Sequence, residues 1–208
     1  DTFLDAVEEA RRRPGGLGVR HQCAHSTILH GGNLKRFRDL GVTAEFSPVS
    51  WYPSKFDSGA RSGYGPDRLS RAADVEAALA AGGVAVIGTD WPVSPLDPWI
   101  ALETLVTRAN PWGEAEGRFG EPISLPQAID VMTKNGAWSM GIEHEAGSLE
   151  VGKSADVIVL DRDLFEIEPQ GNIHSTKVDL TFVQGQLVHD RLNDRSDAVW
   201  HGEAPTLW

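Results

Sequence analysis

Two short segments carry residue types that bind metal ions or move protons. His25 closes the segment 20–25, and Asp90 follows Gly88 and Thr89. A neutral imidazole is a good zinc ligand, and a carboxylate either binds a metal ion or accepts a proton from water. The two residues are therefore candidates for a metal-dependent hydrolytic site. Taken alone, their spacing leaves two alternatives open: a hydrogen-bonded structural histidine, and an aspartate that caps the next helix.

Aromatic residues lie near both segments. Trp51 and Tyr52 follow the second predicted strand, and Trp91 follows Asp90 directly. Aromatic walls often line small-molecule pockets, so these three residues are candidate substrate contacts, with packing at a barrel rim as the alternative. The serines near these segments lack the surroundings of a catalytic nucleophile, which argues against a serine hydrolase. The single cysteine, Cys23, excludes an internal disulfide and a paired-cysteine zinc site.

Strands and helices alternate around these candidates. The apolar run 84–87 predicts a strand buried on both faces, and two more strands are predicted over 19–25 and 42–49. The predicted helices span residues 2–13, 33–40, 72–81 and 98–109, with Thr2 and Asn33 as N-caps. This alternation predicts a parallel sheet covered by helices, which fits a doubly wound sheet or a (β/α)8 barrel. Active sites lie beyond the carboxyl ends of such strands, so we expect His25 and Asp90 at the same edge.

The pattern changes in the second half of the chain. A long loop is predicted over 50–70, and a capping box of Ser124 and Gln127 then begins a helix that runs to about Ser139 and ends at Gly141. Three short strands are predicted after it, and Gln184-Gly185 indicates a hairpin between the last two. Their ranges are 157–160, 178–183 and 186–189. This half therefore predicts a small β unit attached to the α/β part.

Composition excludes several classes of function. The 208 residues are 40% hydrophobic, and 19 Lys and Arg against 30 Asp and Glu give a formal net charge of -11. Because phosphate binding needs a basic face, we expect no nucleic-acid partner. The sequence contains no apolar run long enough to span a membrane. The chain begins at Asp1 inside a helical pattern, so we expect it to be the C-terminal piece of a longer protein, located in the cytoplasm.

The sequence resembles a known family at several points. The segment 147–161, GSLEVGKSADVIVLD, resembles the C-terminal signature of the amidohydrolase superfamily. The segment 88–98 resembles strand 8 of amidohydrolase family 3, the group similar to N-substituted formamide deformylases, some of which are called exoenzyme regulatory proteins. Segments 20–25 and 40–48 are similar to strands 6 and 7 of that family. The resemblance extends over nearly the whole chain, to about His189.

The resemblance implies a fold and a site. The chain would be the C-terminal part of a metal-dependent hydrolase with a (β/α)8 TIM barrel, plus part of a small composite β domain. Residues 1–140 would belong to the barrel and 141–190 to the β domain, with 191–208 unassigned. One or two divalent ions, expected to be Zn2+, would be bound. Asp90 would contact metal and act as general base, His25 would be a metal ligand, and the remaining ligands would lie upstream of Asp1.

The resemblance also implies a function. We expect hydrolysis of a non-peptide carbon–nitrogen bond, of the amide or N-formyl type, in a small-molecule substrate. Only three of the eight strands of a barrel are predicted here, and a full barrel takes roughly 250 residues, so we expect the isolated chain to be inactive. Its open sheet edges favour pairing with the missing N-terminal part or a homo-oligomer. Ala24 stands where many relatives have an acidic residue, and Ser47 stands where many have glutamine. The alternative is a non-catalytic regulatory or binding protein that keeps the fold.

Overall fold

Helices alternate with strands in the first half of the chain. The computed structural model describes residues 1–13, 15, 18–29, 31–47, 63–113, 120–167 and 172–193. The strands are β1 (Gln22–Cys23), β2 (Thr43–Phe46), β3 (Val84–Ile87), β4 (Val157–Leu160), β5 (Val178–Val183) and β6 (Gln186–Asp190). The helices are α1 (Thr2–Arg12), α2 (Gly31–Asp39), α3 (Pro66–Leu69), α4 (Val75–Ala80), α5 (Pro98–Thr107), α6 (Leu125–Met132) and α7 (Lys134–Met140).

The first three strands form one parallel sheet in the order β1-β2-β3. Thr43 in the central strand pairs with Gln22 on one side and Val84 on the other. The predicted parallel sheet is confirmed, and the apolar run of β3 has the buried interior that such a strand requires. With this order, the loops that follow β1 and β3 emerge on either side of the end of β2.

The main apolar core is built from this sheet and the helices around it. Helix α1 contributes Leu4 and Val7, which lie one helical turn apart on its buried face. Strand β2 contributes Ala44 and Phe46, and α5 is buried along most of its length, from Ile100 to Val106. Ala44 and Phe46 alternate with Thr43 and Glu45 along the strand, so Glu45 points to the opposite face of the sheet from the helix-covered core.

The last three strands form a separate antiparallel sheet in the order β4-β5-β6. Gln184 and Gly185 join β5 to β6 with φ angles of +50° and +77°. Two successive positive φ angles are what a two-residue hairpin turn of the favoured type needs. The predicted β unit and its hairpin are therefore confirmed, with β6 one residue longer than predicted.

Several predicted boundaries of strands and helices were wrong. The strand predicted over 19–25 contains only β1, and Asn33 lies inside α2 rather than capping it. Thr2 is the first residue of α1, whose N-cap is Asp1. Helix α4 begins three residues later than predicted, because the Asp74 carboxylate accepts the Ala77 N–H at 3.0 Å and caps it.

The helix predicted to run from Ser124 to Ser139 is divided in two. The capping box at Ser124 and Gln127 is present, as predicted. At Thr133 the backbone leaves the helical region, with φ −123° and ψ −80°, and α7 then begins. The predicted loop over 50–70 contains the short helix α3, and residues 48–62 lie outside the described residues. None of the helices in the described ranges has the length and apolar character needed to cross a lipid bilayer.

Candidate functional site

His25 lies just beyond β1, at the carboxyl edge of the parallel sheet. Its side chain is exposed, and its φ of +54° is in the left-handed region, which few residues other than glycine adopt. Its backbone N–H donates to Oε2 of Glu45 at 2.8 Å. The N–H of the next residue, Ser26, donates to the carbonyl oxygen of Glu45 at 2.7 Å. The end of β2 therefore holds the turn that presents His25.

Asp90 lies beyond β3, at the same edge of the sheet. It is exposed and also has a left-handed backbone, with φ +51°. Its carbonyl accepts the Val93 N–H at 2.7 Å, which closes the turn. The N-cap of the following helix α5 is Asp97, whose carboxylate accepts the backbone N–H of Trp99 at 2.9 Å. The alternative that Asp90 caps the next helix is therefore wrong.

Glu45, which was not predicted as a site residue, lies between these two loops. It is only 7% exposed. Besides its bond to His25, its Oε1 accepts the Ser47 hydroxyl at 3.0 Å. A Cβ placed on Gly88, two residues before Asp90, would lie 2.9 Å from the same oxygen. One buried carboxylate thus touches the loops that carry both predicted site residues. The available signal was a lone carboxylate in a strand whose other residues are all uncharged.

The chemistry of His25 and Asp90 fits a divalent cation, because imidazole and carboxylate are both ligands for zinc. Both side chains are exposed at one edge of the sheet and so are accessible to an ion. Among the described residues, no group of three or more His, Cys, Asp or Glu side chains is placed to hold a metal ion. A tetrahedral site needs four ligands, so these two residues could supply only part of such a site.

A second buried carboxylate, Glu103, lies on α5 and was also missed. It is 2% exposed, and its Oε2 accepts the backbone N–H of His174 at 2.7 Å and contacts His174 Nδ1 at 2.6 Å. Asp97 lies near the same histidine. Burial raises the pKa of the Asp97 carboxyl, while the Trp99 N–H and the charge of His174 oppose that shift. The contact between Glu103 and His174 joins α5 to the second half of the chain. It is separate from the loops that carry His25 and Asp90.

The predicted aromatic contacts are described only in part. Trp91 is 64% exposed, and its backbone N–H donates to the Thr89 hydroxyl at 3.3 Å. Trp51 and Tyr52 lie outside the described residues. Ser26, which had no predicted catalytic role, donates from its hydroxyl to the Cys23 carbonyl at 2.9 Å. The aromatic wall therefore stays a prediction.

Known proteins resemble this chain along most of its length. The model of the amidohydrolase family matches residues 1–189. The N-substituted formamide deformylase of Arthrobacter pascens is 29% identical over 92% of this chain and 34% of its own length. A 5-methylthioadenosine/S-adenosylhomocysteine deaminase of Moorella thermoacetica is 33% identical over 59% of this chain and 30% of its own length.

A solved structure gives a consistent result. An uncharacterized metal-dependent hydrolase from Pyrococcus furiosus has a TM-score of 0.60 and 27% identity, and the match covers 77% of this chain and 31% of that one. This chain spans about a third of the length of the curated relatives it matches. The family model covers far more than half of the chain. The chain therefore belongs to the amidohydrolase family.

Proposed function

We propose that this chain is the C-terminal portion of a metal-dependent amidohydrolase, with a (β/α)8 barrel and a small β domain, that hydrolyses a non-peptide carbon–nitrogen bond of the amide or N-formyl type. One observation carries the proposal: in a chain of the amidohydrolase family, His25 and Asp90 stand at the carboxyl ends of parallel strands on either side of β2. The deformylase among its relatives supports the N-formyl class. The activity is proposed for a complete protein that also contains the part of its relatives that this chain does not match.

The residues of this chain have separate roles in the proposed reaction. His25 and Asp90 would hold a divalent cation, expected to be Zn2+, together with ligands from outside this chain. A bound divalent ion supplies polarisation of the carbonyl group and acidification of water. Asp90 accepts a proton from the attacking water and delivers it to the leaving nitrogen, so that the amine departs neutral. Its exposure at the sheet edge leaves it open to both water and substrate.

The proposed substrate is a small amide-like molecule that contacts Trp91 and, by prediction, Trp51 and Tyr52. The open edges of the parallel sheet are proposed to pair with the N-terminal part of the complete protein. The isolated chain, with two ligands, should then bind Zn2+ weakly. Tight stoichiometric Zn2+ binding by the 208-residue chain, lost in both His25→Ala and Asp90→Asn, would contradict this part of the proposal.

Asp90→Asn tests the proposed reaction directly. In the complete protein loaded with Zn2+ and assayed against N-formyl amines and simple amides, this change should lower kcat by about 10²–10⁴-fold, because it removes the proton acceptor. Asp67→Asn, which alters an exposed carboxylate on α3, is the matched control and should keep the normal rate. A near-normal rate for Asp90→Asn would exclude the general-base role. Binding of amides without turnover by the unchanged protein would favour a non-catalytic binding protein.

A further inference from the structure

Glu45 is a buried carboxylate that the proposed reaction does not use. It lies on the central strand β2, and its neighbours on that strand are uncharged. Burial of a carboxylate is unfavourable unless hydrogen bonds compensate for the lost water. Glu45 has such bonds on both oxygens, from the His25 N–H at 2.8 Å and the Ser47 hydroxyl at 3.0 Å. The sheet therefore places the backbone of Glu45, and bonds from residues just beyond β1 and β2 hold its side chain.

The bonds from Glu45 hold two consecutive amides of the β1 loop. The side chain accepts the His25 N–H, and the backbone carbonyl accepts the Ser26 N–H at 2.7 Å. Cys23, the last residue of β1, pairs with Ala44, the residue before Glu45. Glu45 thus helps to fix the path of the chain where β1 ends, together with the bonds from the Ser26 hydroxyl to the Cys23 carbonyl and from the Thr27 N–H to the His25 carbonyl.

This fixed path matters because His25 is in an unfavourable backbone conformation. A non-glycine residue at φ +54° brings Cβ close to the backbone, and such a residue persists only where its surroundings hold it. If the bond to Glu45 is lost, the chain can relax toward an extended conformation. Because side chains alternate along an extended strand, that relaxation changes the direction of the imidazole.

The same carboxylate also contacts the base of the loop that carries Asp90. Gly88 has room only for a hydrogen next to Glu45, since a Cβ would approach Oε1 to 2.9 Å. The Gly88 N–H donates to the Phe46 carbonyl at 3.2 Å, so this loop is also held by β2. Residues at the end of β2 therefore hold both predicted site loops.

We propose that Glu45 is a positioning residue, whose carboxylate holds His25 in its left-handed conformation and so directs the imidazole at the proposed site. This inference rests on the proposed function for its consequence in the reaction. Its geometric part concerns the backbone of His25 alone, and can be measured in this chain without any metal or substrate.

The first test uses two variants with side chains of nearly the same size. Glu45→Met fills the same space but removes the acceptor, while Glu45→Gln keeps an oxygen for the His25 N–H. Nuclear magnetic resonance of the 208-residue chain would measure amide hydrogen exchange of His25 and the HN–Hα coupling that reports its φ. We expect Glu45→Met to speed His25 exchange at least about tenfold and to change the coupling, and Glu45→Gln to retain both. Unchanged exchange and coupling in Glu45→Met would overturn the inference.

Ser47→Ala keeps the inference falsifiable if Glu45→Met does not fold. It removes the hydroxyl that donates to Oε1 and leaves the bond that the His25 N–H donates to Oε2. We expect normal His25 exchange and coupling in Ser47→Ala. A change in Ser47→Ala as large as that expected for Glu45→Met would mean that general loosening of the edge, rather than the Glu45–His25 bond, sets the conformation, and would overturn the inference.

The second test concerns the reaction of the complete protein. Loss of a group that orients a metal ligand typically lowers affinity or activity by about 10–100-fold. We expect Glu45→Met to lower kcat by about this factor with little change in KM, and Glu45→Gln to restore most of it. If Glu45→Met changes the amide exchange and coupling of His25 but has a normal kcat, the role of Glu45 in the reaction is overturned and the proposed function stays intact. An unchanged protein without hydrolase activity would refute the proposed function, and the amide measurement would still decide the geometry.

Discussion

At the scale of single residues, Gly88 limits the space around the Glu45 carboxylate. An added Cβ would lie 2.9 Å from Oε1, which is shorter than real Cβ contacts. The carboxylate cannot simply swing away, because its two oxygens accept bonds from Ser47 and His25. A methyl group at this position must therefore move either the carboxylate or the loop that leads to Asp90.

Gly88→Ala should accordingly destabilise the chain by about 1–3 kcal/mol, the usual cost of overpacking a close contact. The measurement is the free energy of unfolding from urea titration. Gly136→Ala is the control, because among the described residues nothing outside its own helix lies within 4 Å of an added Cβ. Alanine also favours the helix there, so this control should be neutral or stabilising by up to about 1 kcal/mol. Equal stability of Gly88→Ala and the unchanged chain would show that the Glu45 carboxylate is not confined.

At the scale of elements, two glycines of the segment 147–161 have similar backbones but different surroundings. Gly147 and Gly152 have φ angles of +91° and +99°. An added Cβ on Gly147 would lie 2.5 Å from Ala137 Cβ on α7, while one on Gly152 would meet nothing within 4 Å among the described residues. Gly147 therefore allows the segment to approach α7 closely, whereas Gly152 is required only for its positive φ angle in the turn.

Gly147→Ala should thus cost more stability than Gly152→Ala. Both changes bring backbone strain of about 1–3 kcal/mol, and only the first adds a clash of roughly the same size. Thermal unfolding of the two variants checks the order. Combining Ala137→Gly with Gly147→Ala should recover part of the difference, because it removes the atom that clashes. Equal losses in the two single variants would mean that the approach to α7 is looser than described.

Features that depend on residues close together in the sequence were predicted correctly, and features that depend on distant residues were not. The capping box at Ser124, the apolar run of β3 and the hairpin at Gln184-Gly185 depend on neighbouring residues, and the structure has all three. The break at Thr133 was not predicted, because no proline or glycine stands at that position and Gly136 lies within the helix that follows.

The candidate site was predictable in its outline only. His25 and Asp90 stood out because each follows a strand, and the structure puts both at the carboxyl edge of one parallel sheet. Glu45 and Glu103 were missed because an isolated carboxylate in a strand or helix is usually read as facing solvent. Their burial depends on segments far away in the sequence, such as His174, and no local pattern records that contact.

At the scale of the whole molecule, several polar contacts join the parallel-sheet region to the second half of the chain, among them two that involve charged side chains. Glu103 on α5 bonds His174, as described above. Arg20, just before β1, forms a two-pronged pair with Glu143 at 2.7 and 2.5 Å, and also donates to the Trp138 carbonyl. Its guanidinium carbon lies 4.4 Å from the centre of the Trp138 ring, a cation–π distance. Arg20 therefore ties the segment before β1 to α7 and the turn after it.

The pair of Arg20 and Glu143 should make stability depend on acid. The Arg20 hydrogen bond, more than any other contact, lowers the pKa of the Glu143 carboxyl from 4.5 to about 2. A lowered pKa means that the unfolded chain binds the proton more readily. The contribution of Glu143 to stability is therefore full above the unfolded pKa and is lost as the pH falls from 4.5 toward 2.

Glu143→Gln should therefore be less stable than the unchanged chain near neutral pH, and the difference should shrink across that acid range. Urea unfolding followed by tryptophan fluorescence measures both. Glu145→Gln, which alters an exposed carboxylate in the same turn, should show no such convergence, and parallel acid profiles for Glu143→Gln and the unchanged chain would mean that the pair contributes nothing.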